Sequence, residues 1–393
     1  MKIALTCPAS LPATQFGGIL FLCLDIAKEA SKAGHEMTIF TTDMDFANNA
    51  KTFNKKLPND EHVEKFTIRR SHVWLSFSLF FINPGMYFQM IKTNPDIIHS
   101  IGVRSFQSFI AALVAKKKNI PLVVSDQGGI TTHPELFSSG IFKKMLYKMQ
   151  LPMIKFIINQ ADKISVANEY EKNIFLNFCD ESKITIIRNG INLETMHSDV
   201  KFKQKYNINT NFILFLGRFS KVKGIDLLLN AINLIKHETI FQKTKLVIMG
   251  VDFGFEKTML QMITDYELES IVTVIHNPPR TDVIAAYKES EFLVLPSRWE
   301  LSPLTPLEGF AFKKPVISSN LHGIPYTIQN NVNGLLVDPE NSTELGKAIL
   351  DLLINEKKCI EYGISGYNLV HSTCNSKIMV ENTLKIYHEI INR

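Results

Sequence analysis

At 393 residues the chain is too long for one ordinary hydrophobic core and asks for two or three domains. Hydrophobic residues at 45% and charged residues at 21% exclude a disordered or fibrous protein. A net charge of only +5 argues against nucleic acid as a partner.

The opening MKIALTCPAS carries an apolar run too short for a signal peptide, so the expected compartment is the cytoplasm. KIALTC reads as a strand. Gly17-Gly18 leads into ILFLCLDIAKEASKAG, whose apolar positions recur at helical spacing until Gly34, and MTIFTT reads as a second strand. Asp43-Met44-Asp45 follows it, a DxD string expected to hold no metal. VWLSFSLFFINPGMYFQMI, Val73 to Ile91, has no charge, and Asn83-Pro84-Gly85 breaks any membrane span there. The expectation is a core segment followed by a helix that Asn83 caps; the alternative is that its aromatic residues and the lysine-rich helix around Ile141 to Ile158 form a membrane-contacting patch.

PDIIHS, PLVVSD and KISVAN continue a strand and helix alternation that predicts a parallel sheet covered on both faces. Residues 1–190 hold 22 Lys and Arg against 16 Asp and Glu, and Leu136 to Ala161 contains Lys143, Lys144, Lys148 and Lys155 with no acid. Such a face suits an anionic membrane or phosphorylated ligands, although a charge run also serves as an ordinary solvated face.

After KITIIRNGIN comes a polar stretch, Leu193 to Thr210, and then a second series: NFILFLGRF, KLVIMG, IVTVIH, EFLVLPS and KPVISS as strands, with GIDLLLNAINLI as a helix. The expected organisation is a domain over 1–190, a linker over 191–210, a second domain over 211–374, and a terminal amphipathic helix over 375–393 that packs back toward the first. Five scattered cysteines with no CxxC pair fit neither a disulfide framework nor a zinc cage.

The most informative stretch is RWELSPLTPLEGF, Arg298 to Phe310. Pro303 and Pro306 keep it from being one helix, so Glu300 is expected on a loop and Glu308 in the first turn of a helix that starts near Pro306. Both follow a buried strand, and open α/β sheets bind ligands beyond the carboxyl ends of their strands. Arg218 and Lys223, in a glycine-bearing loop after another strand, are the cations a diphosphate needs: Arg as a bidentate fork and Lys as a point charge.

GGI, PDIIHS, RNGIN, LGRFSKVKG and PSRWELSPLTPLEGFAFKKPVISSNLHGIPYTIQNNVNGLLVDPE, in this order, resemble the retaining glycosyltransferases of family 4. The resemblance implies an α/β chain of GT-B architecture, two facing Rossmann-like doubly wound domains with a cleft between them. It implies a metal-independent hexosyl transfer from a UDP- or GDP-sugar to a hydroxyl acceptor, a glycan or lipid-linked intermediate, with no further cofactor. A sugar-nucleotide epimerase of the same fold and a catalytically silent sugar-nucleotide binder are the alternatives.

Residue by residue, the resemblance assigns Gly217, Arg218 and Lys223 to the diphosphate, and Glu308 to the ribose hydroxyls. Glu300 falls beside the donor sugar, with the backbone of Leu301, Ser302, Pro303, Leu304 and Thr305 around sugar and phosphate oxygens. Gly17 and Gly18 match a glycine loop that lets the first domain's backbone approach donor phosphate or acceptor. Three positions depart from the family pattern, and the first is in SDQGGITTHPEL, which has Gln127 where many members have histidine, with His133 six residues later. Either Gln127 makes the polar contact without proton chemistry, or His133 reaches the site, or His133 is a surface residue. Tyr326 and Asn277 also stand where the family often has Glu and Gly, which leaves the base unassigned.

Overall fold

A computed structural model of the chain describes residues 1–45, 52–77, 80–126, 130 and 141–392, and the chain divides into two compact units. The first comprises Met1–Gly190 with Ser376–Arg393, and the second Ile191–Asn375.

The first unit is built on an eight-stranded sheet. Its strands begin with β1 (Lys2–Thr6) and β2 (Glu36–Thr42), followed by short pieces β3 (Met44–Asp45), β4 (Thr52–Phe53) and β5 (Asp60–Val63). Then come β6 (Phe66–Ser71), β7 (Leu75–Phe77), β8 (Phe80–Ile82), β9 (Ile97–Ile101), β10 (Leu122–Ser125), β11 (Lys163–Val166) and β12 (Ile184–Ile186). The sheet order is β12-β11-β10-β9-β1-β2-β6-β5, parallel except for the β5 edge. Central strands such as β9 are buried at every position, so both faces must be apolar.

The helices are α1 (Gly18–Lys32), α2 (Gly85–Ile91), α3 (Phe106–Lys118), α4 (Ile141–Gln160) and α5 (Glu169–Phe175). The C-terminal helix Ser376–Ile391 packs on α1, and its Met379, Val380 and Tyr387 join Ile3, Ile39 and Ile97 in one core. Buried His99 on β9 ties that helix to the sheet, with Nδ1 2.5 Å from the Tyr387 hydroxyl and Nε2 2.6 Å from Ser125 Oγ. Burial pushes the His99 imidazole down to about 3, so it is held neutral.

The Val73–Ile91 segment meets the expectation of a buried run only in part: Val73, Phe81, Met86 and Met90 are buried. β7 and β8 form a separate antiparallel pair, and Trp74, Leu75, Phe77 and Phe88 are exposed. Nor does the Asn83 side chain cap α2. Its Nδ2 donates to Ser71 Oγ at 2.7 Å and its Oδ1 accepts from Gln107 at 2.6 Å, which turns the side chain toward β6 and α3 instead of the helix end. Asp43 of the DxD string is committed to His72 Nδ1 at 2.5 Å and the Val73 amide at 3.1 Å.

The second unit carries α6 (Phe202–Lys205), β13 (Asn211–Leu216), α7 (Ile225–Ile235), β14 (Thr244–Gly250), α8 (Glu256–Asp265) and β15 (Val272–His276). It continues with α9 (Arg280–Glu289), β16 (Leu293–Leu295), α10 (Leu304–Ala311), β17 (Val316–Ser319), β18 (Gly334–Val337), α11 (Ser342–Ile354) and α12 (Glu356–Ser372). The helix Ser376–Ile391 becomes α13. Its sheet is wholly parallel, in the order β15-β14-β13-β16-β17-β18, around a core that includes Phe212, Phe215, Val247, Leu293 and Phe310. Residues 191–210, polar in sequence, are drawn into this unit: Ile191, Phe202 and Ile208 are buried, and Glu289 accepts from the amides of Phe202 and Lys203 at 2.7 and 2.9 Å. A few apolar anchors at wide spacing give no periodic signal, which is why the stretch reads as a linker.

Candidate active site

In the second unit the strand order reverses between β13 and β16: β14 and β15 build outward on one side, β17 and β18 on the other. Side chains leaving the carboxyl ends of β13 and β16 therefore meet at a topological switch point, where doubly wound sheets take their ligands. From β13 come Gly217, Arg218 and the short turn Lys221–Lys223 that opens α7; from β16 come Ser297, Glu300 and the turn into α10.

Backbone contacts lock these two loops together. Gly224 has φ +71°, and a Cβ there would lie 1.9 Å from the Pro296 carbonyl oxygen, so only glycine permits this approach. The Arg298 amide donates to the Val222 carbonyl at 2.7 Å. Its guanidinium reaches further, with Nη1 and Nη2 donating to Asp226 at 2.6 and 2.9 Å. Nε and Nη2 bond Glu340 at 2.5 and 2.8 Å, and Nη1 also bonds the Lys221 carbonyl at 2.6 Å. Burial opposes its charge, but Glu340 and Asp226 outweigh that and raise Arg298 above its ordinary value.

Between the loops Lys223 Nζ donates to Glu300 Oε1, which also accepts from Ser297 Oγ at 3.2 Å. Both partners of this ion pair are mostly buried and line a small pocket with Pro303, Thr305 and Ser318. An ammonium has three donors, so Lys223 can hold Glu300 and still donate to an incoming oxyanion. The Arg218 guanidinium lies over the Phe253 ring, 4.9 Å from its centroid, and among the described residues no carboxylate pairs with it.

Glu308 does not stand in a first helical turn. α10 begins at Leu304 with Pro303 before it, so Pro306 takes the third position and Glu308 the second turn. The reason is that Pro is tolerated throughout a first turn, where no intrahelical amide bond is lost. Glu308 Oε1 accepts from Arg280 at 2.5 Å and Oε2 from the Tyr287 hydroxyl at 2.6 Å, both on α9. Leu301 is buried, while Ser302, Pro303, Leu304 and Thr305 are half-buried around the helix start. The Gly323 amide closes the site by donating to the Glu300 carbonyl at 3.0 Å.

Arg298, Arg280, Tyr287 and Phe253 are the residues that sequence reasoning did not find. Their partners lie up to 77 residues away, so no local spacing announces them.

In the first unit, Gly17 follows β1 with φ +106°, a left-handed value suited to glycine, and Gly18 opens α1. β1 is likewise flanked by β2 and β9, where that sheet reverses. Gln127 and His133 lie outside the described residues. The backbones of Lys143 and Lys144 lie in α4, with their side chains outside the described set, and Lys148 and Lys155 are exposed.

Two Rossmann-like parallel sheets and a cation and carboxylate site at a switch point define the glycosyltransferase class of GT-B type. Residues 16–195 match Glycosyltransferase Family 4 and residues 198–368 match Glycosyl transferases group 1, and the chain belongs to this family. An uncharacterized glycosyltransferase of Methanocaldococcus jannaschii is 26% identical over 302 residues, covering 75% of this chain and 76% of that one. The UDP-Gal:alpha-D-GlcNAc-diphosphoundecaprenol alpha-1,3-galactosyltransferase of Escherichia coli is 24% identical, covering 73% and 75%. Among solved structures, Anabaena HepE in complex with UDP and glucose shares the fold at a TM-score of 0.77 and 18% identity, over 99% of both chains.

Proposed function

We propose that the protein is a retaining glycosyltransferase that moves a hexosyl group from a UDP- or GDP-sugar to a hydroxyl acceptor, a glycan or lipid-linked intermediate, with no metal. The observation that carries this reading is the Lys223–Glu300 pair at the second unit's switch point, with Arg218 in the same β13 loop lying over Phe253. The diphosphate receives Arg218 and Lys223, whose charges stabilise it as it leaves. The C1–oxygen bond to phosphate breaks, the acceptor oxygen bonds C1 on the same face, and its proton passes to the departing phosphate oxygen. Glu308, held by Arg280 and Tyr287, keeps lone pairs for the ribose hydroxyls. Glu300 orients the donor sugar.

The E. coli relative acts on a diphosphoundecaprenol-linked acceptor with UDP-Gal, which supports a lipid-linked acceptor here. Among the described residues no helix is long and apolar enough to cross a membrane. With such an acceptor the protein works at the inner membrane face, touching anionic lipid through Lys143, Lys144, Lys148 and Lys155.

Titration calorimetry with UDP and GDP, followed by donor hydrolysis and product analysis, tests the reading. Binding with slow donor hydrolysis is expected. Binding without turnover on any acceptor would favour a silent binder, and an epimerised donor without acceptor would favour the epimerase.

A further inference from the structure

The β7–β8 pair stands apart from the eight-stranded sheet, and every position of β7 is exposed. Trp74 is 73% exposed, Leu75 50% and Phe77 55%, so successive side chains on both faces of the ribbon present apolar surface to solvent. Scattered apolar residues on a surface need no explanation, but a contiguous cluster that includes aromatics does. α2 adds Phe88, 62% exposed, whose ring meets Tyr87 edge-on at 5.6 Å.

This cluster continues into a basic strip. α3 packs against β8, α2 and α4, and its last turn carries Lys116, Lys117 and Lys118. Lys117 Nζ bonds the Tyr87 hydroxyl at 3.2 Å, and Lys116 lies over the Phe156 ring of α4 at 5.6 Å. Exposed Lys92, Lys148 and Lys155 extend it, and exposed Met149 adds apolar area. Val73–Pro95 and Ile97–Ser125 contain no acid at all.

Aromatic residues flanked by lysines, with the neighbouring Asp43 buried and Asp96 bonded to the Lys2 amide, match the chemistry of an anionic bilayer surface, where rings enter the headgroup boundary and ammonium groups meet lipid phosphates. We propose that the β7–β8 pair and α2 insert Trp74, Phe77 and Phe88 into an anionic membrane while Lys92 and Lys116–Lys118 hold its headgroups. This deepens the peripheral contact described above and rests on it for its use, but it moves the anchoring element from the α4 lysines to the aromatic ribbon. β8 holds the pair to the body of the unit through buried Phe81, so β7 and Trp74 are the part left to meet a bilayer.

The chain has two tryptophans, and Trp299 is only 8% exposed, so an emission shift on binding reports Trp74. Purified protein is mixed with vesicles of phosphatidylcholine alone, or of phosphatidylcholine and phosphatidylglycerol in equal parts, at low and high salt. The expected result is co-sedimentation and a blue shift with the anionic vesicles at low salt, weakened by high salt. The shift should vanish in Trp74→Ser, and the Trp74→Ser/Phe77→Ser variant should partition about tenfold less. Lys116→Gln/Lys117→Gln/Lys118→Gln should weaken binding roughly fivefold per lysine. Donor hydrolysis should be unchanged in all of them, which separates this inference from the catalytic reading.

Vesicle binding by the double variant equal to wild type would overturn the inference. If Lys148→Gln/Lys155→Gln then released the protein, contact through α4 alone would stand in its place. Absence of binding to either vesicle, or self-association abolished by the double variant, would overturn both.

Discussion

In both units a first strand runs into a glycine-bearing turn, and the sheet reverses direction beside it: β1 lies between β2 and β9, β13 between β14 and β16. The loop after β1, Cys7–Gly18, carries no charged residue, whereas the loop after β13, Gly217–Gly224, carries Arg218, Lys221 and Lys223. In the second unit the facing loop answers with Glu300, and Arg298 ties both loops to Asp226 and Glu340. The lesson is that topology provides the place and side chains decide the ligand. A switch point whose first loop carries cations is ready for a diphosphate, while one whose first loop carries no charge offers backbone donors instead. In the first unit exposed lysines lie on its helices instead.

The largest expected effect falls on the charged switch point. Lys223→Ala should lower turnover by about a hundredfold to a thousandfold while the fold is retained, measured as kcat/KM beside a thermal melt. Normal turnover would remove the difference between the two units.

Next comes Arg298→Ala, which leaves Asp226 and Glu340 without their common cation. It should destabilise the protein by about 2 kcal/mol in urea titration and weaken donor binding about tenfold, because Lys223 and Glu300 lose their alignment. Arg298→Lys should not restore either, since an ammonium cannot span two carboxylates as a fork does.

A smaller and more selective effect is expected from the two glutamates. Glu308→Gln should weaken free nucleotide by about tenfold, the worth of a charge-assisted hydrogen bond, read by calorimetry. Glu300→Gln should weaken intact donor more than free nucleotide. Equal losses for both ligands in both variants would contradict this division of roles.

The other side of the comparison is tested through pH, on stability rather than on ligand binding. Glu171 in α5 is buried, and burial together with Asp126 pushes its carboxyl up to about 8, against the opposing Ala167 amide. The native state therefore keeps a proton that the unfolded chain releases above its ordinary 4.5, so stability falls as pH rises from 4.5 to about 8. Glu171→Gln should gain on wild type over that window, by on the order of 1 kcal/mol per pH unit. His99 acts in the opposite sense: held neutral down to about 3, it makes the first unit lose stability as pH falls below 6.5. Urea titrations across this range in wild type and variant check both.

How much of this was legible in the sequence varies by element. Apolar runs such as NFILFL and PDIIHS announced the central strands, because a strand buried on both faces has little choice of side chain. Glycine and proline positions placed Arg218, Lys223 and Glu300 in loops beyond strand ends. The Val73–Ile91 run was legible in part: Val73, Phe81, Met86 and Met90 are buried as a core reading expects, but hydrophobicity alone does not single out Trp74, Leu75 and Phe77 as exposed. The Arg298 pairs and the Arg280–Glu308–Tyr287 group stayed invisible, since they join residues that only the tertiary fold brings together.

The central claim is that the β13–β16 switch point holds a diphosphate through Arg218 and Lys223. The most direct measurement is calorimetric: affinities of UDP and of uridine for wild type and for Arg218→Ala/Lys223→Ala. Wild type is expected to prefer UDP to uridine strongly, and the double variant to lose most of this preference while uridine binding is little changed. A double variant that still prefers UDP as wild type does would contradict the claim.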